Sequence, residues 1–299
     1  MKKDIKDITA SVRARLLRIA KESNSDFNAV IIHYFQERFL YRLSISGHKD
    51  NFILKGGQLF RIYNMPDARP TKDIDFLGNN IAHDKDNLLQ LIAEIISQET
   101  SDGVWFDPES LKAVTINQEA NYSGVRIFCL AYLGQAKIRL HFDIGFGDEI
   151  VPKAKQMVFP VLLSDMPKPE LIVYSPESLV AEKLEIIVKL GFSTSRMKDF
   201  YDIYYLANHY NFSSEKLIKA IETTFNNRKT KLDDKKIIFS QEFTNDPTNL
   251  TQWNTFISRL KLKIGLSFQD CINVIEKFIE PLFNCQNNRI WNTKDFFWK

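Results

Sequence analysis

The chain has 299 residues, enough to bury a sizeable core as one large domain or two. Its 44% hydrophobic and 26% charged residues, with only 11 Gly and 10 Pro, exclude a collagenous, low-complexity or disordered chain. A net charge of +3 is too weak to argue nucleic-acid binding by itself, and no apolar run is long enough to span a bilayer. Cys129, Cys271 and Cys285 are too scattered for a metal cluster or a disulfide framework. The start, MKKDIKDITASVRARLLRIAKES, mixes acids with its basic residues and has no unbroken apolar centre, so it is not read as a secretory signal. The expectation is a cytoplasmic protein with no membrane partner.

In chain order, residues 7–22 space Ile8, Val12, Leu16 and Ala20 along one helical face. Asp26 is placed to cap a second helix carrying Val30, Ile31, Tyr34, Phe35 and Phe39, with Gly47 as its stop and His33 as a structural member. Phe52-Ile53-Leu54 reads as a short strand that meets Lys55-Gly56-Gly57, and a helix follows near Gln58 to Tyr63. Glycines there let backbone approach a ligand closely and turn N–H groups toward an anion. After a proline-containing loop, Thr71-Lys72-Asp73-Ile74-Asp75-Phe76 sets two carboxylates one residue apart in a strand. Residues i and i+2 share a strand face, so Asp73 and Asp75 stand together while Ile74 and Phe76 pack behind. Two like charges so close call for a positive partner, and a hard divalent cation suits carboxylate oxygen.

Gly-Gly, a helical spacer and Asp-hydrophobic-Asp together resemble the signature of the DNA polymerase beta-like nucleotidyltransferase superfamily. The fuller pattern, Lys55-Gly56-Gly57 with Arg69, Thr71, Asp73 and Asp75, is similar to the AbiEii/AbiGii toxin family of bacterial toxin–antitoxin systems. Two departures are visible. Gln58 stands where the family usually has a small hydroxyl residue, and the fifteen residues between Gly57 and Asp73 make a slightly long spacer.

Residues 85–98 read as an amphipathic helix, and Lys112–Asn117, Val125–Leu133 and Lys137–Phe146 as strands. In the last of these, Ile138, Leu140 and Phe142 fall on one face and Arg139, His141 and Asp143 on the other. An antiparallel strand beside the Asp73/Asp75 strand would bring Asp143 to the same site as the third carboxylate that the superfamily fold commonly supplies. A plain turn-side aspartate before Gly145 and Gly147 is the other reading, and Asp148 is a rival. Residues 152–172, with several prolines and a strand at Met157–Leu163, read as a bridge to a helical half.

Ser175 as N-cap, Pro176, Glu177 in the first turn and Gly191 past the end mark a helix carrying Lys183. A second begins near Ser195 and sets Arg196, Asp199 and Asp202 on one face. Further helices are expected at 214–226, 249–261 and Ser267–Phe283, the last with Asp270 in a capping-box-like pair, and the aromatic tail NRIWNTKDFFWK is expected to dock on the body. In AbiEii-like toxins, an E-K-L helix and an R-x-K-D-x-x-D helix wall the nucleotide. The matching positions are Glu182 and Lys183, then Arg196, Lys198, Asp199 and Asp202. Intrahelical pairing of Lys198 with Asp202 is the alternative.

The whole reading is an α+β protein, with a nucleotidyltransferase core at 1–165 built on a mixed sheet and a helical domain at 166–299 that completes the site. The resemblance implies nucleotidyl transfer with one or two Mg²⁺ on Asp73, Asp75 and Asp143. Lys55, Gly56, Gly57, Arg69, Thr71, Arg196, Lys198 and Asp199 would bind nucleotide, and Lys183 and Asp202 would act in catalysis. It further implies an NTP substrate, an RNA acceptor with the tRNA 3′ end foremost, a block on translation, and a separately encoded antitoxin. The basic clusters at Arg13–Lys21, Arg228–Lys236 and Arg259–Lys263 are solvated helix faces or, in the C-terminal half, a seat for RNA backbone. A small-molecule nucleotidyltransferase of the antibiotic-modifying kind and a non-catalytic nucleotide- or RNA-binding protein are the competing readings.

Overall fold

A computed structural model describes residues 5–65, 69–118, 122–260, 265–283 and 288–299. Cys285 and the Lys263 end of the third basic cluster lie outside the described residues. The chain divides into two compact units, one of Met1–Gly147 with Lys155–Val173, the other of Asp148–Ala154 with Tyr174–Lys299.

In the first unit, the apolar stripe of α1 (Ile5–Glu22) buries Val12, Leu16 and Ala20. Helix α2 (Phe27–Ile45) starts at the expected cap, where the Asp26 carboxylate accepts the Ala29 N–H at 3.0 Å. It ends at Ile45, and the Ser46 N–H bonds back to Leu43 O, so Gly47 lies one residue past the cap. Strand β1 (Phe52–Lys55) is buried throughout and passes through a 3₁₀ turn at Gly56–Gln58 into the single-turn helix α3 (Leu59–Ile62). Then come β2 (Asp73–Gly78) and α4 (Lys85–Ile96), which Asp84 caps by accepting the Asn87 N–H at 2.9 Å. The long strands β3 (Trp105–Gln118), β4 (Tyr122–Leu133) and β5 (Ala136–Gly145) follow, then the short β6 (Lys155–Val158) and β7 (Glu170–Val173).

The seven strands form one mixed sheet in the order β3-β4-β5-β2-β1-β7-β6. Strand β5 lies beside β2 as the carboxylate argument requires, but the pairing is parallel where the sequence suggested antiparallel. Strands β3, β4 and β5 form an antiparallel meander entered after α4, and that crossover returns β5 alongside β2 in the same direction. Facing register is kept either way, because directly opposed residues share a face in both ladder types.

The opposite face holds the core. Ile74 sits across from Phe142, and Phe76 across from Ile144 and Leu54; all are buried. Phe39 of α2 stacks on Phe142 with ring centroids 4.0 Å apart, and Phe52 meets Phe76 edge-on at 5.5 Å. Each such side chain contributes about 1.5–3 kcal/mol by burial. A one-residue slip of β2 would expose Ile74 and Phe76 and bury Asp73 and Asp75, so the core fixes which face the acids take.

A strand expected at Met157–Leu163 is instead β6 at Lys155–Val158, paired with β7. Phe159 still donates its N–H to Pro169 O at 2.8 Å, but Pro160 has no N–H to extend the ladder.

The second unit is helical: α5 (Pro176–Leu190), α6 (Met197–His209), α7 (Ser214–Arg228), α8 (Lys235–Ile238), α9 (Gln241–Thr244), α10 (Pro247–Leu260) and α11 (Phe268–Ile279), closed by the hairpin β8 (Trp291–Asn292) and β9 (Phe297–Trp298). The Ser175 hydroxyl accepts the Ser178 N–H at 3.1 Å, and Gly191 takes φ +49° at the far end of α5. Ser267 accepts the Asp270 N–H and donates its hydroxyl to the Asp270 carboxylate at 2.6 Å, the pair expected from the sequence. The polar stretch after α7 contains α8 and α9, whose single turns are too short to leave a periodic signal. The aromatic tail docks within this unit. Trp291 donates its indole N–H to Ala207 O at 2.7 Å, Trp298 donates to Phe278 O at 3.0 Å, and both rings pack on Phe278.

Candidate active site

Four charged side chains share one rung of the sheet. Lys55 on β1 is opposite Asp75 on β2, Asp75 is opposite Asp143 on β5, and Asp143 is opposite Arg126 on β4. Neighbouring strands are about 4.8 Å apart, so the two carboxylates stand as cross-strand neighbours with a cation outside each. Arg126 grips Asp143 with two parallel bonds, Nε to Oδ1 and Nη2 to Oδ2, both 2.7 Å. The guanidinium is held well above its ordinary pKa, first by that hydrogen-bonded pair and further by the charges of Asp73 and Asp75. One rung along, Asp73 is opposite His141, whose Nδ1 lies 3.3 Å from Asp73 Oδ1 and whose ring meets Phe128 edge-on. Asp73 keeps about a third of its side chain exposed.

The glycine bend is shaped by this rung. Gly56 has φ +69°, and a Cβ there would be driven into the Asp75 carboxylate. Only glycine meets both demands. At Gly57 a Cβ would sit 3.1 Å from the Thr71 Cβ, so Thr71 closes over the bend. The Lys55 side chain is buried and runs along the acidic face, its Nζ 3.7 Å from where a Cβ on Gly145 would stand.

Gln58, the departure noted in the sequence, is fully buried. It donates to Asp73 O at 3.2 Å and accepts from Arg61 Nη1 at 2.7 Å, while Arg61 also reaches Gln36 Oε1, and Gln36 donates to Thr71 O. In this chain the residue after Gly-Gly therefore ties down the main chain at the head of β2. Burial lowers the Arg61 pKa to about 10, with Glu37 opposing. Arg69 is half-buried in the loop before Thr71.

In the helical unit, Lys183 of α5 places its ammonium 2.6 Å from Asp199 Oδ1 and 2.7 Å from Asp202 Oδ2, both on α6. All three are buried, and Arg196 approaches Asp199 at 3.6 Å. Burial pushes the Asp199 carboxyl up, but Lys183, Lys198 and Arg196 outweigh it and hold the group below its ordinary value. Lys198 is exposed, and Asp202 is taken by Lys183. Glu182 faces Arg228 at 3.5 Å, in a cluster where Arg228 also binds Asp148 at 2.9 Å and Glu185 at 2.9 Å. Asp148, the rival third carboxylate, has its Oδ1 bonded by Arg228 within the helical unit.

Paired carboxylates on a strand face, one of them a third exposed, are the oxygen donors a hard divalent cation accepts, so Asp73 and Asp75 fit Mg²⁺. Asp143 is beside them, but both its oxygens are bonded by Arg126, and among the described residues no three His, Cys, Asp or Glu side chains form a ready cage. Sequence reasoning missed Arg126, His141 as the Asp73 partner, and Arg228. The signal for Arg126 was present: it is charged and alternates with Val125, Ile127 and Cys129, which are buried.

A mixed sheet with paired aspartates set against a glycine bend is the architecture of a nucleotidyltransferase. The model of the family described as "Nucleotidyl transferase AbiEii toxin, Type IV TA system" matches residues 38–274, well over half of the chain. The chain belongs to this AbiEii family of toxins and is a nucleotidyltransferase; membership in a toxin–antitoxin system implies a separate antitoxin. Among solved structures, the fold is similar to a Helicobacter pylori protein described provisionally as a nucleotidyltransferase, at TM-score 0.50 and 16% identity over 85% of this chain and 97% of that one. JHP933 from Helicobacter pylori aligns at TM-score 0.49 and 15% identity, over 86% and 95% of the two chains. No curated protein matches the chain in sequence comparison. Among the described residues, no helix is long and apolar enough to cross a membrane.

Proposed function

We propose that this toxin transfers a nucleoside monophosphate from an NTP to an RNA 3′ end, with tRNA the leading acceptor, and so blocks translation in the cytoplasm. The observation that carries the transfer chemistry is the Asp73/Asp75 pair on the open face of β2, with Gly56 backbone directly against Asp75. The RNA acceptor rests on the family resemblance.

Asp73 and Asp75 would hold Mg²⁺. When bound, the ion would supply charge neutralisation for the triphosphate and for the leaving pyrophosphate. Gly56 and Gly57 let main-chain N–H groups approach a phosphate, which any side chain at Gly56 would prevent. Lys55 and Arg69 offset phosphate charge, and Thr71 keeps the bend closed. His141 orients Asp73 through their hydrogen bond.

In the helical unit, Lys183 serves the same reaction as a fixed point charge, held by Asp199 and Asp202. Arg196 and Lys198 add positive potential, and Asp202 orients Lys183 or accepts the proton of the attacking hydroxyl.

The test is to incubate the protein with each α-labelled NTP, Mg²⁺ and total RNA and to resolve the products. Label in a tRNA-sized band, lost in Asp73→Asn, is expected. Label only in a small hydroxyl compound would replace the RNA reading with the antibiotic-type one. Growth arrest that survives Asp73→Asn would leave a binding protein only.

A further inference from the structure

The pairing of Arg126 with Asp143 sets this site apart from a simple three-carboxylate cage. Asp143 stands in register with Asp75, where a third acid would help hold a second metal ion, yet its two oxygens are each bonded at 2.7 Å to one guanidinium. Asp143 is nearly buried, with a tenth of its side chain exposed, whereas Arg126 keeps a third exposed. The acid is thus shielded behind the cation. On the rung itself, the Asp75 and Asp143 carboxylates are flanked by two fixed cations, Lys55 and Arg126. That balance along the rung gives little pull for a second divalent ion beside Asp143.

We propose that Arg126 occupies the place of a second divalent ion: the chain binds a single Mg²⁺ through Asp73 and Asp75, and Asp143 anchors the guanidinium instead of ligating metal. This deepens the transfer reading and rests on it. A guanidinium has five N–H donors in a fixed plane. Two are spent on Asp143, and the remaining three are free to meet oxygens of the polyphosphate or of the acceptor. The chain thereby keeps positive charge on both sides of the acids, mobile as metal on one and covalently fixed on the other. Arg126 is then a positioning and charge-supplying residue, and Asp143 acts through it.

The test counts metal, using Mn²⁺ as the probe on the full chain, by electron paramagnetic resonance of free Mn²⁺ and by calorimetry. Wild type is expected to bind one Mn²⁺ per chain. Arg126→Gln is expected to bind two, because Asp75 and Asp143 are then neighbouring carboxylates with no guanidinium. Asp143→Asn should keep one Mn²⁺ with affinity weakened by about 10–100-fold, as befits an outer partner. Cooperative thermal melting of each variant checks that it is folded.

Two Mn²⁺ on wild type, falling to one in Asp143→Asn, would overturn the inference while leaving the metal-dependent reading intact. One Mn²⁺ on Arg126→Gln would overturn it equally. No Mn²⁺ on any form would remove the metal reading together with the inference.

Discussion

The two constellations of this protein handle charge in opposite ways. On the sheet, Lys55, Asp75, Asp143 and Arg126 line up across four strands, and Asp73 beside them stays partly open to solvent. In the helical unit, Lys183, Asp199 and Asp202 close on one another and are almost wholly buried. A rung on a sheet spaces its charges by strand separation, which leaves carboxylate oxygens and guanidinium hydrogens with capacity for a ligand. A knot between two helices consumes its charges internally. The first arrangement keeps an acid open to solvent, whereas the second holds the Lys183 charge at a fixed place.

That contrast can be broken or sharpened by experiment. The largest effect is expected at Lys183→Met, which leaves two buried carboxylates without their ammonium and costs about 3–5 kcal/mol of stability. Chemical denaturation measures this, and an unchanged midpoint with activity lost would recast the knot as an open part of the site. Next comes Asp73→Asn on the sheet. Transfer should fall by about 10²–10³-fold with little change in melting temperature, because the residue is partly exposed and outside the core. A large drop in melting temperature would erase the distinction between the two regions.

Gly56→Ala ranks third. Its positive φ alone costs about 1–2 kcal/mol, and the added methyl must displace the Asp75 carboxylate. Transfer should therefore fall more steeply than stability, as steady-state rates and melting on the same sample would show.

The smallest effect concerns Glu37, buried on α2 against Arg38 at 2.7 Å and the Leu162 N–H at 2.6 Å. Burial raises its pKa to about 7, against the opposing pull of Arg38. A carboxyl raised in the folded state binds its proton more tightly there than in the unfolded chain. Its contribution is fully present below the unfolded value near 4.5 and is lost as pH rises through about 7. The melting temperature of wild type relative to Glu37→Gln should therefore fall between pH 5 and 8. A flat or rising difference would show that Glu37 is not held protonated by burial.

Much of the fold was readable before any coordinates. The Asp26, Ser175 and Ser267 caps and the alternation in β2 and β5 are local signals, within four residues of their partners. The carboxylate pair and the glycine bend were visible for the same reason: alternation is a two-residue rule, and a glycine pair stands out in any strand-to-helix turn. What went unseen depended on partners distant in sequence. The parallel direction of β5 follows from how the α4 crossover returns the chain. Lys198 lies in the same helix as Asp202 at the favoured spacing, yet Asp202 bonds to Lys183 from α5, because burial between helices favours a shielded cation over an exposed one.

The sequence by itself therefore determined the longer helices, the strands of the site, the face on which the acids stand and the family to which the chain belongs, since each is written in short-range pattern and residue type. Only the tertiary structure decided which cation meets which acid. Arg126 reaches Asp143, Lys55 stands beside Asp75, and Gln58 turns inward to hold Asp73. Those pairings are set by strand order and register, and register is chosen by Phe39, Phe76 and Phe142 packing on the far side of the sheet.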